Sequence, residues 1–169
     1  EYGGQWGGWG YSESPLIHDG KLLVSPGGET SIIALDPATG EEIWKNTQGY
    51  GKAEYATIIA SEINGTPQYV KFFEKAVVGF DAGSGDVLWE GTFPDGRTAV
   101  IPTPIVEGNE VYLTAGYGAG GKLIRVGSDN STEDVWVNKE MKNHHGGAIL
   151  LDGHVYGFSD GPGLICQDW

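Results

Sequence analysis

The sequence predicts an all-β fold: a partial β-propeller with about three complete four-stranded blades and most of a fourth. Three observations carry this. First, the chain repeats. Turn glycines Gly20, Gly65, Gly108 and Gly153 lie 45, 43 and 45 residues apart, and Trp44, Trp89 and Trp136 lie 45 and 47 apart. A period of ~40–50 residues with four short apolar runs per copy is the signature of a propeller rather than a helical solenoid. Second, 29 glycines among 169 residues are more than twice the usual ~7%. They accompany six Trp, eight Tyr and five Phe, the composition of many short strands and tight turns. Third, no segment keeps a 3.6-residue apolar period, so almost no helix is expected.

The elements follow in order. Residues 1–13 are a Gly/Trp-rich leading segment outside the repeat, containing Trp6 and Trp9. Blade 1 spans 14–53, blade 2 54–98, blade 3 99–142, and an incomplete blade 4 spans 143–169. Each copy reads apolar strand, Gly turn, strand, turn, strand, Asp-containing turn, and a short strand ending in Trp. In Leu35-Asp36-Pro37-Ala38-Thr39-Gly40 the carboxylate can accept backbone N–H groups, Pro37 presets φ, and Gly40 can take φ > 0. Phe80-Asp81-Ala82-Gly83-Ser84-Gly85 repeats this chemistry. Copy three departs, with Ser128 in the Asp place and Thr132 in the Gly place, so its turn should close differently.

Trp44, Trp89 and Trp136 read as wedges between blades, each indole N–H meeting a backbone carbonyl. Burying ~150–250 Å² of aromatic surface is worth about 4–6 kcal/mol at ~25 cal/mol/Å². A fourth Trp would fall near a position 177, beyond Trp169. The terminal copies should expose flat apolar faces and an open sheet edge, so the isolated segment is expected to aggregate or to fold only against partner chains.

Charge and composition exclude several classes. Ten Lys+Arg against 23 Asp+Glu give a net charge of −13, with no broad basic face for nucleic acid or anionic lipid. No run of ~18 apolar residues exists to span a membrane as a helix. The single Cys166 excludes a disulfide within the chain. Asn64-Gly65-Thr66 and Asn130-Ser131-Thr132 match the glycosylation pattern, a weak signal at this length.

The stretch Ile33-Ala34-Leu35-Asp36-Pro37-Ala38-Thr39-Gly40-Glu41-Glu42-Ile43-Trp44 resembles the tryptophan-docking repeat of pyrroloquinoline-quinone (PQQ)-like β-propellers. Val78 to Trp89 is a second match, and Leu164 to Asp168 begins a third. In that resemblance Asp36, Gly40, Trp44, Asp81, Gly85, Trp89 and Trp136 are structural docking residues. The family includes quinoprotein alcohol and glucose dehydrogenases and the scaffold lipoprotein of outer-membrane protein assembly. Its members usually have seven or eight blades and live outside the cytoplasm. The resemblance therefore implies an extracytoplasmic location, in the periplasm or cell envelope. It also implies that further blades of the same protein, or other chains, complete the ring.

The family's chemistry does not follow from its fold. The dehydrogenases hold the quinone with Ca²⁺ bound by Glu, Asn and Asp, a catalytic Asp, a Trp floor and often paired cysteines. No position here matches that set, so no catalytic residue, metal ligand or cofactor ligand is assigned. PQQ with Ca²⁺ enters only on the alternative that missing blades carry the site. Other patterns fail as well. Gly116-Tyr117-Gly118-Ala119-Gly120-Gly121-Lys122-Leu123 imitates a phosphate loop but has Leu123 where Ser or Thr must reach Mg²⁺. It reads as a glycine-rich hairpin. Asp81 to Asp86 spaces carboxylates like a Ca²⁺ loop but lacks the remaining ligands.

Polar and aromatic residues do converge where the blades begin. The segments leading into the first strands hold Tyr11, Glu13, Glu54, Tyr55, Arg97, His144 and His145. At one mouth of a propeller axis they would make a small-molecule pocket. The adjacent histidines, in extended chain, would point to opposite sides and could not easily ligate one metal, and the sequence shows no third ligand beside them. Two functions remain: a non-catalytic binding or scaffold propeller for a protein, a small molecule or a glycan, and a fragment of a PQQ-dependent alcohol or sugar dehydrogenase.

Overall fold

Each apolar run is a short strand, and each Asx–Gly or Gly–Asn pair turns it back on its neighbour. The computed structural model describes residues 2–93 and 99–169. Four antiparallel sheets follow one another along the chain. The first contains β1 (Leu16–His18), β2 (Lys21–Val24), β3 (Ile32–Leu35) and β4 (Glu42–Asn46). The second contains β5 (Ile59–Ile63), β6 (Thr66–Phe72), β7 (Ala76–Asp81) and β8 (Val87–Thr92). The third contains β9 (Ile105–Glu107), β10 (Glu110–Ala115), β11 (Gly120–Val126) and β12 (Thr132–Asn138). The fourth has three strands, β13 (Ala148–Leu151), β14 (His154–Ser159) and β15 (Gly163–Asp168). Strands pair in chain order within every sheet, so each sheet is a meander. Among the described residues there is no helix, and none long and apolar enough to cross a membrane. The fold is a partial β-propeller.

The unequal spacing of the turn glycines has a local cause. Asp19-Gly20, Asn64-Gly65 and Asp152-Gly153 are two-residue hairpin loops in which both residues have φ between 47° and 75°. That is the type I′ pattern, matched to the twist of the flanking strands. In the third sheet Glu107 pairs with Glu110, so the loop is Gly108-Asn109, and only Gly108 is left-handed, at φ 59°. This is the II′ pattern, with glycine first rather than second.

The Asp-containing turns are closed by the carboxylates. Asp36 Oδ1 accepts the N–H groups of Ala38 and Thr39, both at 2.8 Å. Asp81 Oδ1 accepts those of Gly83 and Ser84 at 2.9 and 2.8 Å. Gly40 and Gly85 then turn left-handed at φ 75° and 78°. In copy three the turn shifts by one residue. Asp129 Oδ1 accepts the N–H of Ser131 at 3.1 Å, and Asn130 takes the left-handed position at φ 64°.

One repeated device was not visible in the sequence. In each complete sheet the register slips by one residue directly before the tryptophan. Ala34 faces Trp44 while Leu35 faces Glu42, leaving Ile43 extra. Gly79 faces Trp89 while Phe80 faces Val87, and Leu123 faces Trp136 while Ile124 faces Asp134. A bulge of this kind bends the strand and re-aims the next side chain.

The core lies between consecutive sheets. Trp44 joins Leu23, Ile32, Tyr69, Val78 and Phe80 between the first and second. Trp89 joins Val70, Phe72, Val111, Leu113 and Ile124 between the second and third. Trp136 packs on Tyr112 between the third and fourth, where Trp169 also meets Tyr112. The indole hydrogen bonds differ from the sequence expectation of backbone carbonyl partners. Trp89 donates to the side-chain oxygen of Gln68, whereas the buried Trp44 Nε1 has no partner among the described residues. Gln68 faces Asp81 and Tyr69 faces Phe80, as Leu22 faces Leu35 one sheet earlier, so the residue at the place of Gln68 there is Lys21, which has no acceptor for an indole N–H. Trp169 Nε1 donates to Glu110 at 2.8 Å.

Two glycines in the same motif position should respond differently to substitution. A Cβ on Gly85 would sit 2.8 Å from Trp44 Cζ3 in addition to its left-handed strain, whereas a Cβ on Gly40 would enter open space. Gly40→Ala is expected to cost about 1–2 kcal/mol, the left-handed penalty alone. Gly85→Ala should add about 1–3 kcal/mol of overpacking. Urea unfolding of both variants measures the difference.

Candidate functional site

The segments that lead into the first strands meet at one end of the sheets. Trp9 and Ser12 precede β1, Tyr55 precedes β5, Ala99 and Ile101 precede β9, and His144 and His145 precede β13. With Tyr117 from the β10–β11 hairpin they line a cavity of about 410 Å³. That volume lies within the ~300–1,000 Å³ of small-molecule sites.

Backbone bonds fix the wall. Tyr55 N and Ala56 N both donate to Val100 O, at 3.0 and 2.9 Å, and Val100 N donates to Glu54 Oε2 at 3.0 Å. Asn143, fully buried, donates through Nδ2 to Gly147 O at 2.8 Å and to Phe158 O at 3.0 Å. This clamps the segment that carries the histidines. His144 lies directly against Gly116, where a Cβ would stand 2.9 Å from the His144 Cα.

The histidine rings do not diverge as extended chain would require. They stack, with centroids 4.2 Å apart and planes 14° from parallel, and both line the cavity. The chain bends at His145 and continues through left-handed Gly146 and Gly147, so strand alternation does not apply there. His144 Nδ1 lies 3.8 Å from Asp160 Oδ2. Among the described residues no group of three or more His, Cys, Asp or Glu side chains could hold a metal ion. The described residues therefore do not supply the carboxylate set that Ca²⁺ with PQQ would need.

The other sequence candidates lie elsewhere. Tyr11 donates to Pro26 O at 2.8 Å and lies beside Trp6. Glu13 accepts the N–H of Ser25 at 2.6 Å and pairs with Lys71, whose side chain is fully buried. Tyr11 and Glu13 line a second cavity of about 270 Å³ with Val24 and Pro26. Arg97 lies outside the described residues. Glu54 stands behind the wall rather than in the cavity, and burial raises its pKa above the usual 4.5. Its proton is thus held more tightly in the folded state. As pH rises through 4.5 the unfolded chain ionises first, which destabilises the native state. Glu54→Gln should therefore stabilise the protein at neutral pH, with the gain vanishing below about pH 4.5, as read by thermal unfolding across that range.

Sequence reasoning missed Tyr117, Trp9 as a wall residue, and Lys71. Tyr117 carries a faint signal, an aromatic residue between Gly116 and Gly118 at a hairpin tip. Lys71 carries a clearer one, a lone cation inside Tyr69-Val70-Lys71-Phe72-Phe73.

Comparison with known proteins agrees with this architecture. A family model described as outer membrane protein assembly factor BamB matches residues 8–168. BamB of Burkholderia pseudomallei (strain K96243) is 27% identical over 153 residues, covering 85% of this chain and 36% of that protein. The quinohemoprotein alcohol dehydrogenase ADH IIB of Pseudomonas putida is 27% identical over 131 residues, covering 71% of this chain and 19% of that protein. Among solved structures, BamB from Moraxella catarrhalis is similar with a TM-score of 0.67 at 18% identity, over 91% of this chain and 44% of that one. The quinohemoprotein alcohol dehydrogenase from Comamonas testosteroni gives 0.58 at 17% identity, over 84% of this chain and 22% of that one. The chain thus spans less than half the length of each of these relatives. With a match that runs through nearly all of its length, the chain belongs to the PQQ-like β-propeller family described as outer membrane protein assembly factor BamB.

Proposed function

We propose that this chain is the repeat segment of a larger extracytoplasmic protein that works as a non-catalytic binding or scaffold propeller, with a ligand pocket at its axial mouth. Each sheet with its leading segment is one blade, divided at 14–53, 54–98, 99–142 and 143–169. The observation that carries the reading is the aromatic and imidazole lining of the axial cavity by Trp9, Tyr55, Tyr117, His144 and His145. It offers ring faces and hydrogen-bonding edges. The likeness to proteins named as assembly factors supports the scaffold role and an envelope location. The second reading is a PQQ-dependent alcohol or sugar dehydrogenase segment, favoured by the likeness to quinohemoprotein alcohol dehydrogenases.

Titration of the intact protein with PQQ and Ca²⁺ separates the two. No absorbance change, and no dye reduction with alcohols or sugars, is the expected result. Quinone binding with alcohol-driven dye reduction would replace the scaffold reading with the enzyme.

A further inference from the structure

We propose that the axial pocket receives an organic cation, a substituted ammonium group enclosed by aromatic faces. This rests on the pocket reading above and adds its ligand class.

Three rings from three separate parts of the chain reach the cavity: Trp9, Tyr55 and Tyr117. Trp9 and Tyr55 meet edge to face, 5.9 Å between centroids and 73° between planes, and so form a corner. Tyr117 stands edge-on against His144 at 4.3 Å. A corner of ring faces, each negative at its centre, holds a cation that a single flat aromatic surface would hold weakly.

Tyr117 is held there against its own backbone preference. Five non-glycine residues have positive φ among the described residues. Four are Asp19, Asn64, Asn130 and Asp152, the residue types that tolerate the left-handed region. The fifth is Tyr117, at φ 55°. Its ring is half exposed, so packing into the core does not explain the conformation. What the conformation achieves is a third ring at the cavity wall. Backbone strain of this kind gathers at sites of ligand contact.

The electrostatics select the sign. The described lining residues include no Lys or Arg. The chain carries 23 acidic against 10 basic side chains, a field that draws cations toward the molecule. Glu54 lies behind Tyr55, and Asp160 lies 3.8 Å from His144, so carboxylates back the aromatic wall. An anion would face both the ring centres and this field.

The test uses choline and its uncharged isostere 3,3-dimethyl-1-butanol, titrated into the intact protein by calorimetry. Choline is expected to bind at least tenfold more tightly than the alcohol. Trp9→Ala, at a ring 64% exposed and therefore harmless to the fold, should weaken choline about tenfold. Tyr117→Gly should weaken it similarly while leaving the melting temperature unchanged or higher, because glycine relieves the strained φ. Equal affinity for choline and the alcohol would overturn the cation assignment and leave an apolar pocket. Choline binding untouched by both substitutions would place it elsewhere and overturn the proposal. Silence toward choline, the alcohol and glucose alike would overturn the pocket reading itself.

Discussion

Replacing Trp89 with alanine is expected to lower the unfolding free energy of the intact protein by about 3–5 kcal/mol in urea titrations. The indole is 2% exposed and packs between the second and third sheets, against Val70, Phe72, Val111, Leu113 and Ile124. Its position depends on Gly79, where a Cβ would collide with the indole. Most of the side chains around it stand on the inner strands β6, β7, β10 and β11, which are paired on both sides and close poorly over a void, so the cost belongs at the upper end for large-to-small changes. A second term comes from Gln68, itself 2% exposed, whose side-chain oxygen would lose its indole donor. An orphaned buried acceptor costs about 1–3 kcal/mol. Trp89→Phe helps to separate the two terms, because it keeps much of the buried area while removing the N–H together with only part of the ring volume. Trp136→Ala should cost clearly less, since that ring is half-buried. Equal losses at Trp89 and Trp136 would mean that burial between sheets is not what these residues contribute.

How far the sequence announced this arrangement depends on the range over which each feature is determined. The closure of the turn at Asp81 is local: a carboxylate, two amides and a glycine within five residues, so it was legible. The copy-three turn was legible as a departure but not in detail, because Asp129 and Asn130 together replace what Asp81 and Gly85 do elsewhere. Gly108 aligned one place out of register, since glycine spacing does not distinguish a I′ loop from a II′ loop. The bulged Ile43 looks like any strand residue; only pairing across the sheet reveals it.

At the site the same rule holds. His144 and His145 were conspicuous, but their stacking follows from a bend set by the Asn143 clamp and from Gly116 on a different sheet. Glu13 and Glu54 read in the sequence as carboxylates of a pocket at the axial mouth. Their partners, Lys71 and Val100 N, lie 58 and 46 residues away, and only the closed fold brings them in.

The Glu13–Lys71 pair ties the leading segment to the second sheet, and breaking it on one side should be costly. Lys71 is 0% exposed and the Glu13 side chain 7% exposed; Lys71 also donates to Ala56 O. Lys71→Met fills the space but leaves a buried carboxylate without a cation, at an expected cost of about 3–5 kcal/mol. The double variant Glu13→Gln with Lys71→Met should recover most of that loss, because the amide oxygen still accepts the Ser25 N–H and no charge remains. A double variant as weak as the single one would show that the loss came from packing.

The pair also sets a pH dependence of definite sign. Burial is the leading cause that lowers the Lys71 pKa below its usual 10.5, against the attraction of Glu13. The unfolded chain therefore binds this proton more tightly than the native state. In the window below 10.5 the stability contributed by Lys71 rises with pH. Tyr50 and Tyr112 act in the opposite sense above pH 10, because burial raises their phenol pKa values and the unfolded chain ionises first. Subtracting the double variant from the native protein cancels the tyrosines. The remaining difference should climb as pH approaches 10.5. A flat difference from neutrality upward would mean that the Glu13 attraction fully offsets the burial of the ammonium group.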